Sequence, residues 1–517
     1  MTSMSPSLED YFEPFRENTI GFGQTFSFPS GQKEIIYADW TASGRGYVPI
    51  ENCLQNDVIP FFANTHTQTT TTGTLMTKAY EEAKVIIKEH VHASKDDVLI
   101  FCGSGMTSAV NKLQRLLGIR IPERWMGYMP DGKSPKMYDA LKPVVFVTSM
   151  EHHSNHVSWL ETIATIEIIG QTEAGNVDLE HFERLLVKYK SRKNKIAAVT
   201  ACSNVTGIQT PYHEIATLIH AYNGLCFVDF ASSAPYVQMD MHPGKANASL
   251  DAIYFSMHKF LGGPGTPGVL VFNRRIYHNA IPDHPGGGTI VYSNPWQVRK
   301  YVTDIESRED GGTPPVLQGI KAAMCIRLKE EMGVKNILHR EEQLLTIAFA
   351  RLSEMPNVLI LQGNQRKRLG IISFIVKGAH YNLIVKLLND KFGIQTRGGC
   401  SCAGTYGHHL LNVDKTWSQK IWSALQSGDL SSKPGWIRVS IHPTMTDEEI
   451  EFIMDAIEST ASNFREWMTD YYYDKASNEY VIKEETPKEQ HCVEDWFKFG
   501  HQVDTRKVGG KYVSTIS

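Results

Sequence analysis

Lys259 closes the run Ser256-Met257-His258-Lys259, where a β-type segment gives way to the Gly/Pro-rich turn LGGPGTPG. A lysine amine of lowered pKa condenses with carbonyl groups, and ligands of open α/β sheets gather at the carboxyl ends of strands. An ordinary surface lysine is the plainer alternative. Asp229 ends the run LCFVDF, 30 residues earlier. A carboxylate facing a pyridine nitrogen keeps the ring protonated and makes it an electron sink, as pyridoxal phosphate requires. Capping of the next turn would also account for an aspartate there. Gly103-Ser104-Gly105-Met106-Thr107 joins a strand pattern to a helical one. Exposed N–H groups and the helix dipole make such a junction a phosphate site, unless it is only a tight turn. In Glu151-His152-His153-Ser154-Asn155, His152 offers a flat ring to stack on a flat cofactor. Loop histidines or metal ligands are the other readings.

Cys400 and Cys402 lie in TRGGCSCAG. A thiolate there could be a nucleophile, aided by a nearby cation or helix N-terminus, and Arg397 is close in sequence. With His408 and His409 the pair also spells C-x-C-x₅-H-H, but C-x-C is tighter than usual zinc spacing, so no metal is expected. Two buried thiols in a Gly-rich turn would need no function at all. A formal G-x-G-x-x-G runs from Gly263 to Gly268. It precedes a strand and contains two prolines, so it is not a dinucleotide fingerprint.

Elements must hold these groups in place. Seven short apolar runs, at 97–101, 144–148, 166–170, 196–200, 225–230, 252–256 and 269–273, predict strands. Continuous runs mark strands buried on both faces of a mainly parallel sheet. Helical patterns at 106–117, 178–190 and 212–222 lie between them, an α/β signature. Beyond residue 310 the pattern changes to helices near 315–332 and 338–354, strands within 358–376, a helix at 380–391, a strand at 437–441 and a helix from Asp447 to about Met468. This predicts an arm (1–35), a large α/β domain (36–310) with an insertion at about 119–142, a smaller α+β domain (311–468) and a C-terminal extension (469–517).

The 517 residues are 42% hydrophobic and 21% charged, which excludes a disordered or collagen-like chain. A net charge of −4 gives no electrostatic case for nucleic acid or an anionic membrane. Eight cysteines are too sparse for a disulfide scaffold and point to a reducing compartment. Without a targeting segment or a membrane-length apolar run, a cytoplasmic protein is expected.

Taken together, YADWTASGRG (37–46), CGSGMTSAVN (102–111), MEHHSN (150–155), SNVTG (203–207), VDFAS (228–232), SMHK (256–259), GGTP (311–314), TRGGCSCAG (396–404) and IRVS (437–440) resemble the class V aminotransferases. These are fold type I pyridoxal-phosphate enzymes, and within them the closest likeness is to the cysteine desulfurase and selenocysteine lyase branch. The resemblance spans about residues 36–465.

It implies pyridoxal 5′-phosphate held by Lys259 as a Schiff base, Asp229 on the pyridinium nitrogen and His152 over the ring. Gly105, Met106, Thr107, Ser256 and His258 would bind the phosphate, and Thr313 would reach the phosphate of a neighbouring subunit. A homodimer with shared active sites follows. Asn204 and Ser232 would sit near the phenolic oxygen, although the family commonly has Gln where this chain has Ser232. Arg438, with Arg397 and Asn204, would receive the carboxylate of an amino-acid substrate. Cys402 would take sulfur from L-cysteine as a persulfide and release L-alanine, with selenocysteine as another substrate and a sulfur-acceptor protein as a partner. The alternative is another class V reaction: amino transfer, C–S lysis or epimerisation.

Overall fold

The computed structural model of the protein describes residues 7–65, 69–126, 142–483, 493–498, 504–508 and 511–515. Each of the seven apolar runs forms a strand: β1 Asp97–Cys102, β2 Val144–Thr148, β3 Thr165–Ile169, β4 Lys195–Thr200, β5 Leu225–Asp229, β6 Ala252–Ser256 and β7 Gly268–Asn273. They make one sheet in the order β1-β7-β6-β5-β4-β2-β3. β7 runs antiparallel to β1 and β6, and the remaining pairs are parallel. The protein thus has the mainly parallel seven-stranded α/β architecture that the sequence predicts.

Packing explains the missing alternation. Leu99, Phe101, Val144 and Phe146 belong to one apolar cluster, whereas Val98, Ile100, Val145 and Val147 belong to another. Successive side chains enter opposite faces, and both faces are covered. Only the edge strand β3 is largely half-exposed, and it carries Thr165 and Glu167.

Among the described residues the helices of seven residues or more, numbered along the chain, are α1 Leu8–Glu17, α2 Thr71–His90, α3 Met106–Leu116, α4 His153–Leu160, α5 Leu179–Lys188, α6 Tyr212–Ala221, α7 Val316–Met332, α8 Val334–Glu354, α9 Tyr381–Phe392, α10 Gly404–Leu410, α11 Lys415–Gln426 and α12 Asp447–Trp467. α3, α5 and α6 fill the positions predicted between strands. α1, α2, α4 and α11 are additions to the sequence-based expectation, although α2 buries Met76, Tyr80, Ala83 and Ile87 at helical spacing. α8 begins four residues before the predicted 338, because Gly333, at φ 73°, turns the chain directly out of α7.

A smaller antiparallel sheet follows: β8 Val358–Ile360, β9 Ile371–Val376, β10 Arg397–Gly399 and β11 Trp436–Ser440, in the order β8-β9-β11-β10. Ser440 also bridges in parallel to Asp39, which ties the segment before Trp40 to this sheet. Of the predicted insertion, Glu123–Met126 is a helical turn and residues 127–141 lie outside those described. In the predicted extension, β12 (Tyr471–Asp474) and β13 (Glu479–Ile482) pair as a hairpin, while 484–492, 499–503, 509–510 and 516–517 lie outside the described residues. Among the described residues no helix is long and apolar enough to cross a membrane.

Candidate functional site

The carboxyl ends of β1, β2, β4, β5 and β6 converge, and most of the residues named above lie in the turns that leave them. At the end of β1, Gly103 takes φ +46° and the chain enters α3 at Met106. Ser256 Oγ, ending β6, accepts the Met106 N–H at 2.9 Å, so its own proton remains available. His258 Nδ1 meets the Ser104 carbonyl at 2.9 Å and must donate to it, so Nε2 can donate to an anion only when the ring is protonated. Thr107 Oγ1 lies 2.7 Å from Ser154 Oγ. Gly105 has no side chain for a reason: a Cβ there would stand 2.9 Å from His258 Cε1 and 3.0 Å from Ser256 Oγ. Gly103, Thr107 and the exposed Thr313 line one cavity of about 880 Å³. A helix N-terminus, two hydroxyls and an imidazole suit an anion such as phosphate.

Asp229 is 2% exposed, and burial raises its carboxyl to about 7. Its Oδ1 takes the Ala231 N–H at 2.8 Å, so Oδ2 is the oxygen left for a ligand. Burial lowers Lys259 to about 8, with Asp229 pulling the other way. His152 caps α4, its Nδ1 accepting the Ser154 N–H at 3.1 Å. Burial, then the charges of Lys259, His153 and Arg438, hold it down to about 3, so the ring is neutral with its proton on Nε2. Ser232 Oγ donates to the Cys202 carbonyl at 2.6 Å and has no proton left for a cofactor oxygen. Asn204 Nδ2 donates to the Ser401 carbonyl at 2.7 Å, and its buried Oδ1 has no partner.

Arg438 is 3% exposed on the central strand β11 of the smaller sheet. Nη1 donates to the Asn204 carbonyl at 3.0 Å, Nη2 to Asp39 Oδ1 at 2.7 Å, and the buried Nε lacks a partner. Arg397, half-exposed on β10, grips Asp39 Oδ2 through Nε and Nη2, both at 2.8 Å. Asp39, which joins the two candidate carboxylate-binding arginines, is a residue of this candidate site that the sequence reading did not name. Its signal was an acid flanked by apolar residues in YADWTASGRG, which buries only with cationic partners. Three cations, Lys259, Arg438 and Arg397, face two carboxylates, Asp229 and Asp39, and the excess favours an anionic ligand.

Cys402 is exposed at the other wall. Ala403 N–H closes a turn on the Cys400 carbonyl at 2.9 Å, and both central residues have positive φ, 49° for Ser401 and 56° for Cys402. Without glycine this costs about 1–2 kcal/mol per residue. The turn is held regardless: its Ser401 carbonyl takes Asn204, its Cys402 carbonyl takes the His153 N–H at 2.7 Å, and the next amide, Gly404 N–H, reaches His153 Nε2 at 2.9 Å. Cys402 lies within Coulombic range of Lys259, Arg438 and Arg397. His408 is occupied on both ring nitrogens, by the Gly404 carbonyl and Ser418 Oγ. Among the described residues no three His, Cys, Asp or Glu side chains gather as metal ligands.

Behind these groups lies a buried network that sequence patterns do not reveal. Glu151 accepts from Thr148 N–H and Oγ1, Thr200 N–H and Asn155 Nδ2, and burial raises it to about 7. Asn155 Oδ1 in turn accepts from Tyr254 OH at 2.7 Å and Trp159 Nε1 at 3.2 Å. The network locks β2, α4, β4 and β6 together and so fixes where His152 begins α4.

The groups fit a flat, anionic aldehyde: an anion cradle, a carboxylate with a free oxygen, a lysine of lowered pKa and a neutral imidazole. Comparison with known proteins points the same way. The chain is 28% identical over 377 residues, 71% of its length and 84% of the relative's, to a probable cysteine desulfurase of Halalkalibacterium halodurans. It is 27% identical over 440 residues, 84% of its length and 93% of the relative's, to a probable cysteine desulfurase of Staphylococcus aureus. Its fold is similar to that of a cysteine desulfurase from Thermococcus onnurineus in its apo form, with a TM-score of 0.69 at 22% identity, covering 90% of this chain and 100% of that one. It is also similar to a cysteine desulfurase from Escherichia coli, with a TM-score of 0.66 at 18% identity, covering 87% and 98%. Residues 139–453 match the family model of the class-V aminotransferases, and with well over half of its length in that match the chain belongs to the aminotransferase class-V family of pyridoxal-phosphate enzymes.

Proposed function

We propose that this protein is a pyridoxal-phosphate-dependent cysteine desulfurase. The observation that supports the reading best is the strained Cys400–Ala403 turn, which leaves Cys402 exposed within Coulombic range of Lys259 and Arg438. Backbone strain of this kind persists where the surroundings over-determine it, and it concentrates at reactive sites.

Thr107, Ser256, His258 and the amides around Gly105 and Met106 would hold the cofactor's phosphate. Asp229 Oδ2 would pair with its ring nitrogen, His152 would lie over its face, and Lys259 Nζ would hold its carbonyl carbon. When bound, the cofactor withdraws electrons from the substrate's Cα and so weakens the Cβ–S bond. Arg438 Nε, buried without a partner, and Arg397 would receive the substrate carboxylate, with Asp39 as their fixed counter-ion. Asn204 Oδ1, equally unpartnered, would take an amino or ring-oxygen proton. Lys259, once free, moves a proton at Cα. The Cys402 thiolate attacks the substrate sulfur: the S–S bond forms as the Cβ–S bond breaks, the bond's electron pair stays with the carbon skeleton, and alanine leaves after protonation at Cβ. A thiol reductant or an acceptor protein then removes the persulfide sulfur. Selenocysteine fits the same steps.

A homodimer is part of this reading. The hairpin at 290–301 exposes Val291, Tyr292, Trp296 and Val298, with Trp296 80% exposed, which suits cover by a second copy of the chain. Sedimentation at micromolar concentration should give a dimer mass.

The test is incubation of the cofactor-loaded protein with L-cysteine and dithiothreitol. Alanine and sulfide should form in equal amounts, and Cys402→Ser should abolish both. No alanine from loaded protein would overturn the desulfurase reading in favour of amino transfer or C–S lysis on a larger amino acid.

A further inference from the structure

The strand that leads into the Cys402 turn packs on Tyr381, and Tyr381 is held by the C-terminal hairpin at 471–482. The Tyr381 ring, at the start of α9, lies against Gly398 and Gly399, which lead into the turn, and against Gly435, which leads into β11. A Cβ on Gly398 would meet Tyr381 Cδ2 at 3.2 Å, and one on Gly435 would meet Cε1 at 2.6 Å and Gly399 Cα at 2.8 Å. Gly399 itself takes φ +106°. Tyr381 is 7% exposed, and its hydroxyl accepts Asn478 Nδ2 at 2.8 Å. Asn478 sits between β12 and β13 at φ +61°. Its Oδ1 accepts from Tyr473 OH at 2.7 Å and its carbonyl from Asn382 Nδ2 at 2.6 Å. His380 stacks on Tyr381 with centroids 4.2 Å apart and also touches Tyr473 and Tyr480. The hairpin lies beyond the residues that match the family model, which end at 453.

We infer that Asn478 and Tyr381 are positioning residues for sulfur transfer: the C-terminal hairpin clamps the Tyr381 ring against Gly398, Gly399 and Gly435 and thereby fixes the strained turn that aims Cys402. This rests on the desulfurase reading for what Cys402 does. The holding of the turn is independent of it. A turn with two non-glycine residues at positive φ relaxes when one of its supports goes. Asn204 and His153 hold it from the large-sheet side, and Tyr381 is the support from the other.

The experiment uses the full-length, cofactor-loaded protein. Asn478→Gly keeps the backbone conformation at positive φ and deletes only the side-chain bonds. Tyr381→Phe keeps the ring and deletes the hydroxyl. Asn478→Asp tolerates positive φ and can accept both tyrosine hydroxyl protons. Hydrogen exchange read by mass spectrometry should show the Ala403 and Gly404 amides exchanging at least tenfold faster in Asn478→Gly and Tyr381→Phe, with exchange in the large sheet unchanged. The kcat for alanine from L-cysteine should fall at least fivefold with KM within twofold, and Asn478→Asp should restore both. Unchanged exchange at 403–404 in both variants would overturn the inference, as would faster exchange throughout the molecule. Wild-type protein that makes no alanine would instead overturn the desulfurase reading, and the exchange result would still decide whether the hairpin holds the turn.

Discussion

Lys259 and Asp229 are pushed toward neutrality from opposite sides, to about 8 and about 7, because burial penalises each charge more than the other repays it. Only the uncharged amine condenses with an aldehyde. The rate at which the apo protein takes up pyridoxal phosphate, followed by visible absorbance, should therefore climb about tenfold per pH unit below 8 and level off above it. A rate still climbing steeply at pH 10 would mean that the amine titrates as in water. Asp39 supplies a second case. It is the shared counter-ion of Arg438 and Arg397, and Arg438 is 3% exposed. Asp39→Asn leaves a buried guanidinium without its partner, which should cost about 3 kcal/mol of stability in denaturant unfolding. The contrast between these residues shows what a sequence can say about chemistry. Lys259, Asp229 and Cys402 declare themselves through residue type beside small residues at strand ends. Asp39 acts through arginines 358 and 399 positions away, and no local pattern encodes that distance.

The strands were legible because a β-segment covered on both faces must be apolar throughout, and all seven runs in the first 275 residues do form the large sheet. Turns were less so. Nothing in TRGGCSCAG says that Ser401 and Cys402 take positive φ as Gly399 does, since tertiary hydrogen bonds from Asn204 and His153 impose it. Nor does the polar sequence after 469 show that its hairpin docks on α9, because the docking is made by single hydrogen bonds to Asp390, Tyr381 and Asn382 and by the contacts of His380 with Tyr473 and Tyr480. Two glycines test how tightly such elements fit. A Cβ on Gly404 would stand 2.9 Å from His153 Nε2, the acceptor of its own N–H. Gly404→Ala should pry the cysteine turn from α4 and slow alanine formation at least tenfold while the absorbance of the loaded cofactor is kept. A Cβ on Gly268 would meet backbone, the Gly105 carbonyl oxygen at 2.3 Å and the Cys102 one at 2.6 Å, which cannot swing aside. Gly268→Ala should force β7 away from β1, cost about 3 kcal/mol, and weaken cofactor binding at least tenfold in equilibrium titration.

Across the whole molecule the two sheets meet around a carboxyl that no site uses. Glu341 projects from α8, is 2% exposed, and has only the Gly370 backbone N–H near its carboxyl, with no side-chain partner. A Cβ on Gly370, just before β9, would come within 2.8 Å of its Oε1 and 2.9 Å of the carbonyl of Ile441, just after β11. From the other side its charge acts on Cys202 and Tyr236, which follow β4 and β5. Burial raises Glu341 from the ordinary 4.5 to about 8. The folded protein thus keeps this proton where the unfolded chain has lost it. The stability it confers is complete below about 4.5 and is lost as pH rises toward 8, at about 1.4 kcal/mol per unit between the two values. Glu341→Met keeps the length of the side chain and removes the ionisation. The stability difference between variant and wild type should therefore grow in the variant's favour from pH 5 to pH 8 and then flatten, as read by urea unfolding at each pH. Taking the difference isolates this group from His152 and His442, each held down to about 3, and from Lys329, held down to about 7, whose slopes run the other way. A difference independent of pH would show that Glu341 is ionised in the folded protein at neutral pH, and that water or a cation reaches the seam between the sheets.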